Sequence, residues 1–225
     1  MVKRFQLAQR VGSTMASVLK PRTDARVKLI LAAESLFAKG GFENVSLREI
    51  AASAGQKNHH AVQYHFGSRE GLVTAIFRYR MSQMEERRGE MLAAADATGK
   101  AGDARTLMEI IFLPQLSLPG QHRNHSYANF LCQYLLRNEG TQFGDFGATL
   151  PPNIDRALQL LRERLDFLPE AIAQRRLVTA CFMFLNMLSA YSDDRIREVG
   201  DETFQQAVDD TLDQIVVATV MPLRS

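Results

Sequence analysis

The densest group of chemically capable side chains in this 225-residue chain is Lys57, Asn58, His59, His60, Gln63, Tyr64 and His65. Lysine donates to phosphate oxygens. Asparagine, glutamine and histidine offer the donors and acceptors that read base edges. The group lies in a basic first third: residues 1–70 carry eleven Lys/Arg against five Asp/Glu, whereas the remainder carries sixteen against twenty. A polyanion is therefore the expected partner of the first part only. Other chemistries lack their residues. Adjacent helical positions diverge by about 100°, so His59 and His60 cannot chelate one ion. His122 and His125 have no HExxH pattern or carboxylate partner and read as surface positions at a helix start, so no metal site is expected. Cys132 and Cys181 sit in apolar stretches outside any CxxC or nucleophile motif. With no triad signature and no Gly-rich phosphate loop, neither catalysis nor a cofactor is expected.

These side chains need elements to position them. Apolar residues make up 46% of the chain, β-branched residues are few, and Ala, Leu, Arg, Gln and Glu are plentiful, a composition that leans to helix. Residues 1–21 are basic and aperiodic and read as a flexible arm, either solvated or adding a DNA contact. Thr23 is placed to cap a first helix, with Asp24 in its first turn. Leu29, Ala32, Ala33, Leu36 and Phe37 form its apolar stripe, Gly40-Gly41 closes it and Phe42 packs back. Ser46-Leu47-Arg48-Glu49 reads as a capping box opening a short helix, with Leu47, Ile50, Ala51 and Ala54 inward and Gly55 in the turn beyond. Asn58 caps a second short helix to about His65, anchored by Ala61, Val62 and Phe66. A long helix from Arg69 to about Ala95 turns Leu72, Ile76, Phe77, Met81 and Met84 inward. After a flexible joint at 97–102, five more helices are expected near 103–116, 122–138, 153–167, 169–192 and 201–219, with a loop at 139–152. No strand or repeat is visible.

Two short helices about Gly55, backed by a third, form the helix-turn-helix pattern. Here the residues resemble the tetracycline-repressor (TetR) family of bacterial transcriptional regulators. The resemblance covers roughly residues 23–77. It runs through Leu29-x-x-Ala32-Ala33-x-x-Leu36-Phe37-x-x-x-Gly41-Phe42, then Ser46-Leu47-x-x-Ile50-Ala51-x-x-Ala54-Gly55. It ends on Val62-x-Tyr64-His65-Phe66-Gly67-Ser68-Arg69-Glu70-Gly71-Leu72. By position it implies that Tyr64 and His65 clamp backbone phosphates and that Arg69, where the family usually has Lys, contacts another. Ser46 opens a helix whose free amides suit a phosphate. Two departures stand out: the segment Gln56–His60 is one residue longer than the common pattern, and Gln63 replaces the first aromatic of the usual pair. His59, His60 and Gln63 are then left as the base readers.

The resemblance implies an all-α protein of about nine helices. A three-helix helix-turn-helix DNA-binding domain (22–68) follows the arm, and a helical effector-binding and dimerisation domain occupies 69–225. The aromatics and methionines of that body are core by default. The resemblance implies that some of Phe112, Tyr127, Phe130, Tyr134, Phe143, Phe182, Met183 and Met187 line a pocket, whose apolar walls suit a hydrophobic or aromatic effector. It also implies a homodimer through the last two helices, with Phe184, Leu188, Phe204, Val208, Leu212 and Ile215 at the interface. The longest apolar run, 177–191, is shorter than the roughly 20 residues that span a bilayer, and the first residues show no secretory leader. A cytoplasmic protein without a membrane partner is expected. The function expected is a ligand-responsive regulator, a repressor that binds a (pseudo)palindromic operator as a dimer. Its alternatives are an effector-independent DNA-binding dimer and a helical enzyme.

Overall fold

The computed structural model describes residues 24–119, 125–137, 149–192 and 202–223. The 1–21 arm, Thr23, His122, Phe143 and most of the 139–152 segment lie outside them. The described residues form nine α-helices and one 3-10 turn, with no strand, so the chain is all-α. In order these are α1 (Ala25–Asn44), α2 (Leu47–Ser53), α3 (Ala61–Phe66), α4 (Arg69–Ala97) and α5 (Ala104–Phe112). The 3-10 turn (Leu113–Ser117) follows, then α6 (Ser126–Arg137), α7 (Pro152–Arg164), α8 (Glu170–Ser192) and α9 (Phe204–Val220).

Asp24 caps α1 through a 3.0 Å bond from the Arg26 amide to its carboxylate. That corrects the expected first-turn placement: the carboxylate satisfies a free amide directly. Leu29, Ala33 and Phe37 are buried as a stripe together with Ile30 and Glu34. Regular helix is interrupted at Gly41, which takes φ 72°, and Phe42 folds back to stack on Phe37 with ring centroids 4.7 Å apart. Ser46 Oγ accepts from the Glu49 amide at 3.1 Å, but the return bond that a capping box requires is absent among the described residues. The reciprocal pair occurs instead at the start of α9, between Thr203 and Gln206.

α4 is the spine. At 29 residues it is roughly 44 Å long. Leu72, Val73, Ile76 and Phe77 close the underside of α1–α3, while Met81, Met84, Leu92 and Ala95 enter the core of the body against α5 and α7. α1 makes its most extensive packing against α6, so the three N-terminal helices share one continuous core with the rest. A charged tie crosses the same junction. Arg80 of α4 donates to both carboxylate oxygens of Glu34 of α1, at 2.6 and 2.9 Å, with both side chains buried. Ser126 of α6 adds a 2.5 Å bond to Glu34.

α8 and α9 pack side by side, and Arg176 near the start of α8 bonds the Thr219 and Met221 carbonyls at the end of α9, so the two run antiparallel. This packing buries most of the side chains expected at an interface. Phe184, Leu188, Val208, Leu212 and Ile215 are all at most 1% exposed within one chain. The apolar stripe of α9 packs on its own α8 and α5. Phe204 is half-buried, stacked near His125 at 5.8 Å and edge-on to Tyr191 at 5.4 Å. No helix among the described residues is long and apolar enough to cross a membrane.

Candidate functional site

The polar group of residues 57–65 sits on a turn and a short helix held from beneath. Gly55 takes φ 70° with nothing within 4 Å of where a Cβ would stand. The left-handed backbone, rather than crowding, requires glycine there. Asn58 then organises the longer-than-usual turn. Its side chain accepts from the His60 amide at 2.9 Å and its carbonyl from the Ala61 amide at 3.1 Å. The extra residue is absorbed as this Asx turn, so α3 begins at Ala61 and His59 and His60 lie ahead of it. That differs from the sequence expectation, which made Asn58 the cap of the helix. Ala61 and Val62 are buried, and Lys57, Asn58, His59, His60, Gln63 and Tyr64 are exposed. Tyr64 is 83% exposed, the most exposed large apolar side chain in the described residues. Its ring meets that of the half-buried His65 edge-on at 5.0 Å.

Two expected phosphate ligands occupy different situations. Ser46 is exposed at the start of α2, with its hydroxyl engaged by its own helix cap. Arg69 is turned inward: its guanidinium donates to the Phe42 carbonyl at 2.5 Å and lies 5.7 Å from the Phe37 ring. In this conformation it clamps the start of α4 to the end of α1, and reaching a phosphate would need another rotamer. The structure adds cations that the sequence pattern had not singled out. Arg48 is exposed on α2 and Lys28 on α1. Arg26 sits 5.2 Å over the Phe66 ring, placing its charge at the end of α3. The signal available beforehand was only that each is basic and at a polar position of its helix.

The body holds a small cavity of about 50 Å³ where α4–α8 and the 3-10 turn converge. Met81, Met84 and Arg88 of α4 line it with Ile111, Phe112, Gln115, Tyr127, Leu131, Ile154, Leu158, Cys181 and Leu185. Of the residues expected there, Phe112 and Tyr127 are present. Phe130 and Tyr134 instead join an aromatic cluster with Phe37, Phe42 and Phe77, at centroid distances of 4.7–6.4 Å. Phe182, Met183 and Met187 are half-buried on other faces of α8. Tyr127 and Phe130 stack at 6.1 Å, so one side of the cavity is joined ring by ring to the N-terminal helices. Burial pushes the Cys132 thiol up to about 11 and the Cys181 thiol up to about 12. Neither is a thiolate at neutral pH, which removes the nucleophile a cysteine-based reaction would need. Among the described residues no cluster of three His, Cys, Asp or Glu is placed to hold a metal ion.

Comparison with known proteins bears on the N-terminal unit. Residues 29–76 match the family described as bacterial regulatory proteins, tetR family. This span starts at Leu29 in α1, takes in all of α2 and α3, and ends at Ile76 in the first part of α4. Among solved structures, a transcriptional regulator from Rhodococcus sp. Rha1 is similar at a TM-score of 0.44 and 18% identity, over 88% of this chain and 99% of that one. No curated protein matches the chain.

Proposed function

From the premise that this chain belongs to the tetR family of bacterial regulatory proteins, through residues 29–76, we propose that it is a dimeric, effector-released repressor. That it is a DNA-binding regulator rather than an enzyme follows from the family. The finer reading is ours, and the observation that carries it is the continuity of one core from the cavity to the DNA-facing helices. Met81, Met84 and Arg88 of the cavity lie on the same helix whose first turn clamps the end of α1, and Tyr127 connects through Phe130 to Phe42. An occupant that bound one tilt of α4 and α6 better than another would shift the balance of head positions by that difference in affinity.

On the DNA side, Tyr64 and His65, with Ser46, Lys57 and the exposed Arg48, hold phosphates. His59, His60 and Gln63 read base edges, with Asn58 shaping the turn. Arg69 joins the phosphate contacts when its guanidinium leaves the Phe42 carbonyl. A (pseudo)palindromic operator requires two heads. In place of the buried stripe, the surface offered to a second copy is the outer side of α8 and α9. There Val178 and Phe182 are half-buried, and Val217, Met221 and Leu223 are 59%, 48% and 48% exposed.

Selecting genomic fragments with the purified full chain and weighing the complexes by analytical ultracentrifugation tests this reading. Two copies on a two-fold repeated site are expected, with Tyr64→Ala weakening binding at least tenfold and leaving the dimer intact. One copy per site, or unchanged affinity in the variant, would overturn it. The narrowness of the cavity favours one rival, a body that only dimerises. A panel of apolar compounds that left both thermal stability and DNA affinity unmoved would support that rival.

A further inference from the structure

We infer that the occupant of the body cavity is an organic acid, whose carboxylate pairs with the buried Arg88 guanidinium and whose apolar part fills the space among Met81, Met84 and Phe112. This rests on the effector reading above and goes beyond it by naming the ligand's charge and head group. Arg88 is 2% exposed, yet it faces a cavity rather than a counter-charge. Among the described residues its Nη1 and Nη2 donate only to the thioether sulfurs of Met81 and Met84, at 3.5 and 3.6 Å, and its Nε is buried with no acceptor. Sulfur is a weak acceptor, so this buried fork of donors is nearly unspent.

The acid whose charge acts on it does not bond it among the described residues. Glu85 lies one helical turn away on α4 and contributes an attraction, but its Oε1 takes a 2.6 Å bond from the Asn153 amide. Its Oε2 is buried without a partner. Desolvation brings Arg88 down only to about 10, so the guanidinium stays charged at neutral pH. A buried, hydrogen-bond-poor cation is costly, and a carboxylate arriving with it offsets that cost through two parallel N–H···O bonds. The Glu34–Arg80 pair nearby shows how this core treats a guanidinium that serves only structure: it is given both oxygens of a carboxylate.

The rest of the lining sets the ligand's other end. Phe112, Leu131, Leu158 and Leu185 are apolar, and Gln115 and Tyr127 are the further polar-bearing side chains of the wall. The cavity of about 50 Å³ admits a compact aromatic or short aliphatic body once the flexible Met81 and Met84 give way. Withdrawal of those two sulfurs is also what frees the donors for the acid. A phosphate would carry more charge than one guanidinium fork can satisfy in such walls, which favours a monoanion.

Calorimetric titration of the full chain with benzoate and butyrate, against benzyl alcohol and 1-butanol, tests the assignment. The acids are expected to bind at least tenfold tighter than the alcohols of matching shape. Arg88→Met should remove that preference while leaving alcohol affinity within about threefold, since apolar replacement of a buried charge is often tolerated. Should Arg88→Met fail to fold, Arg88→Lys decides: acid affinity should fall severalfold with alcohol affinity unmoved. Equal binding of acids and alcohols, no binding of either acid, or acid binding unchanged in the variants overturns the inference. DNA affinity measured in the same solutions separates the two readings. Acids that bind through Arg88 without moving DNA affinity would sink the effector reading alone. Neutral compounds that release DNA where acids do not would sink the acid assignment alone.

Discussion

Gly71 is a position where the lack of a side chain lets α3 and α4 meet closely. A Cβ there would stand 2.1 Å from the Phe66 carbonyl oxygen, a backbone atom that cannot move without shifting the α3–α4 junction. Ser68 Oγ caps the same junction by accepting from the Gly71 amide at 3.0 Å. Gly71→Ala is expected to cost about 1–3 kcal/mol in chemical denaturation, as overpacking does, and to weaken DNA binding beyond that loss. His125 offers a titration at the same scale. Burial against α9 lowers its pKa from the ordinary histidine value, so the folded chain binds fewer protons than the unfolded one and stability rises with pH. The contribution is complete above about pH 6.5 and is lost as pH falls below it. His125→Phe keeps a ring against Phe204 and removes the proton. Melting temperature should therefore fall less between about pH 7 and pH 5 in the variant than in the parent. Equal slopes would show that His125 is not the group responsible.

At the scale of elements, a buried charged tie and an aromatic cluster join α1, α4 and α6, and an exposed Arg137–Glu43 pair links α6 to α1 as well. Glu34, Arg80 and Ser126 form the tie. Glu34→Ala leaves a buried guanidinium without its carboxylate and is expected to cost about 3–5 kcal/mol, whereas Glu34→Leu with Arg80→Met should be close to neutral. A double-mutant cycle by urea denaturation checks both numbers. The functional consequence is separable: in the apolar pair, the head loses its charged link to α4, and any effector response of DNA affinity should shrink even though the fold survives. An undiminished response would place the coupling in the Phe130 cluster alone.

For the whole molecule, the excess of basic residues in the first third predicts that this part meets DNA, so association should depend steeply on salt. The logarithm of DNA affinity should fall linearly with the logarithm of salt concentration, and Lys57→Ala or Arg48→Ala should each flatten the slope by about 1. Neither should change which fragments are selected. Gln63→Ala should do the reverse, relaxing preference at one base position by about 1–3 kcal/mol with the slope kept. Electrophoretic mobility shifts across a salt series distinguish these outcomes.

The helices were legible in the chain because periodicity and punctuation are local. The stripe Leu29–Phe37, the cap at Ser46, the glycines at 41, 55 and 67 and the run Leu72–Met84 each state an element within a few residues. The likeness over residues 23–77 came from the same local order, and it singled out the polar group of 57–65 as the expected DNA face. Where apolar stripes go is not local. A stripe on α9 reads the same whether it meets its own α8 or a second copy, and only the packing showed Val208, Leu212 and Ile215 spent within one chain. Phe130 and Tyr134 likewise read as cavity or core alike, until α6 lay against α1 and made them core. Asn58 read as a helix cap until the turn it closes took up the extra residue. Arg88 carried no signal at all in the sequence, since a basic residue on a long polar helix is ordinarily solvated. It became a site because five helices close around it, and burial is a property of the assembled core that no window of residues contains.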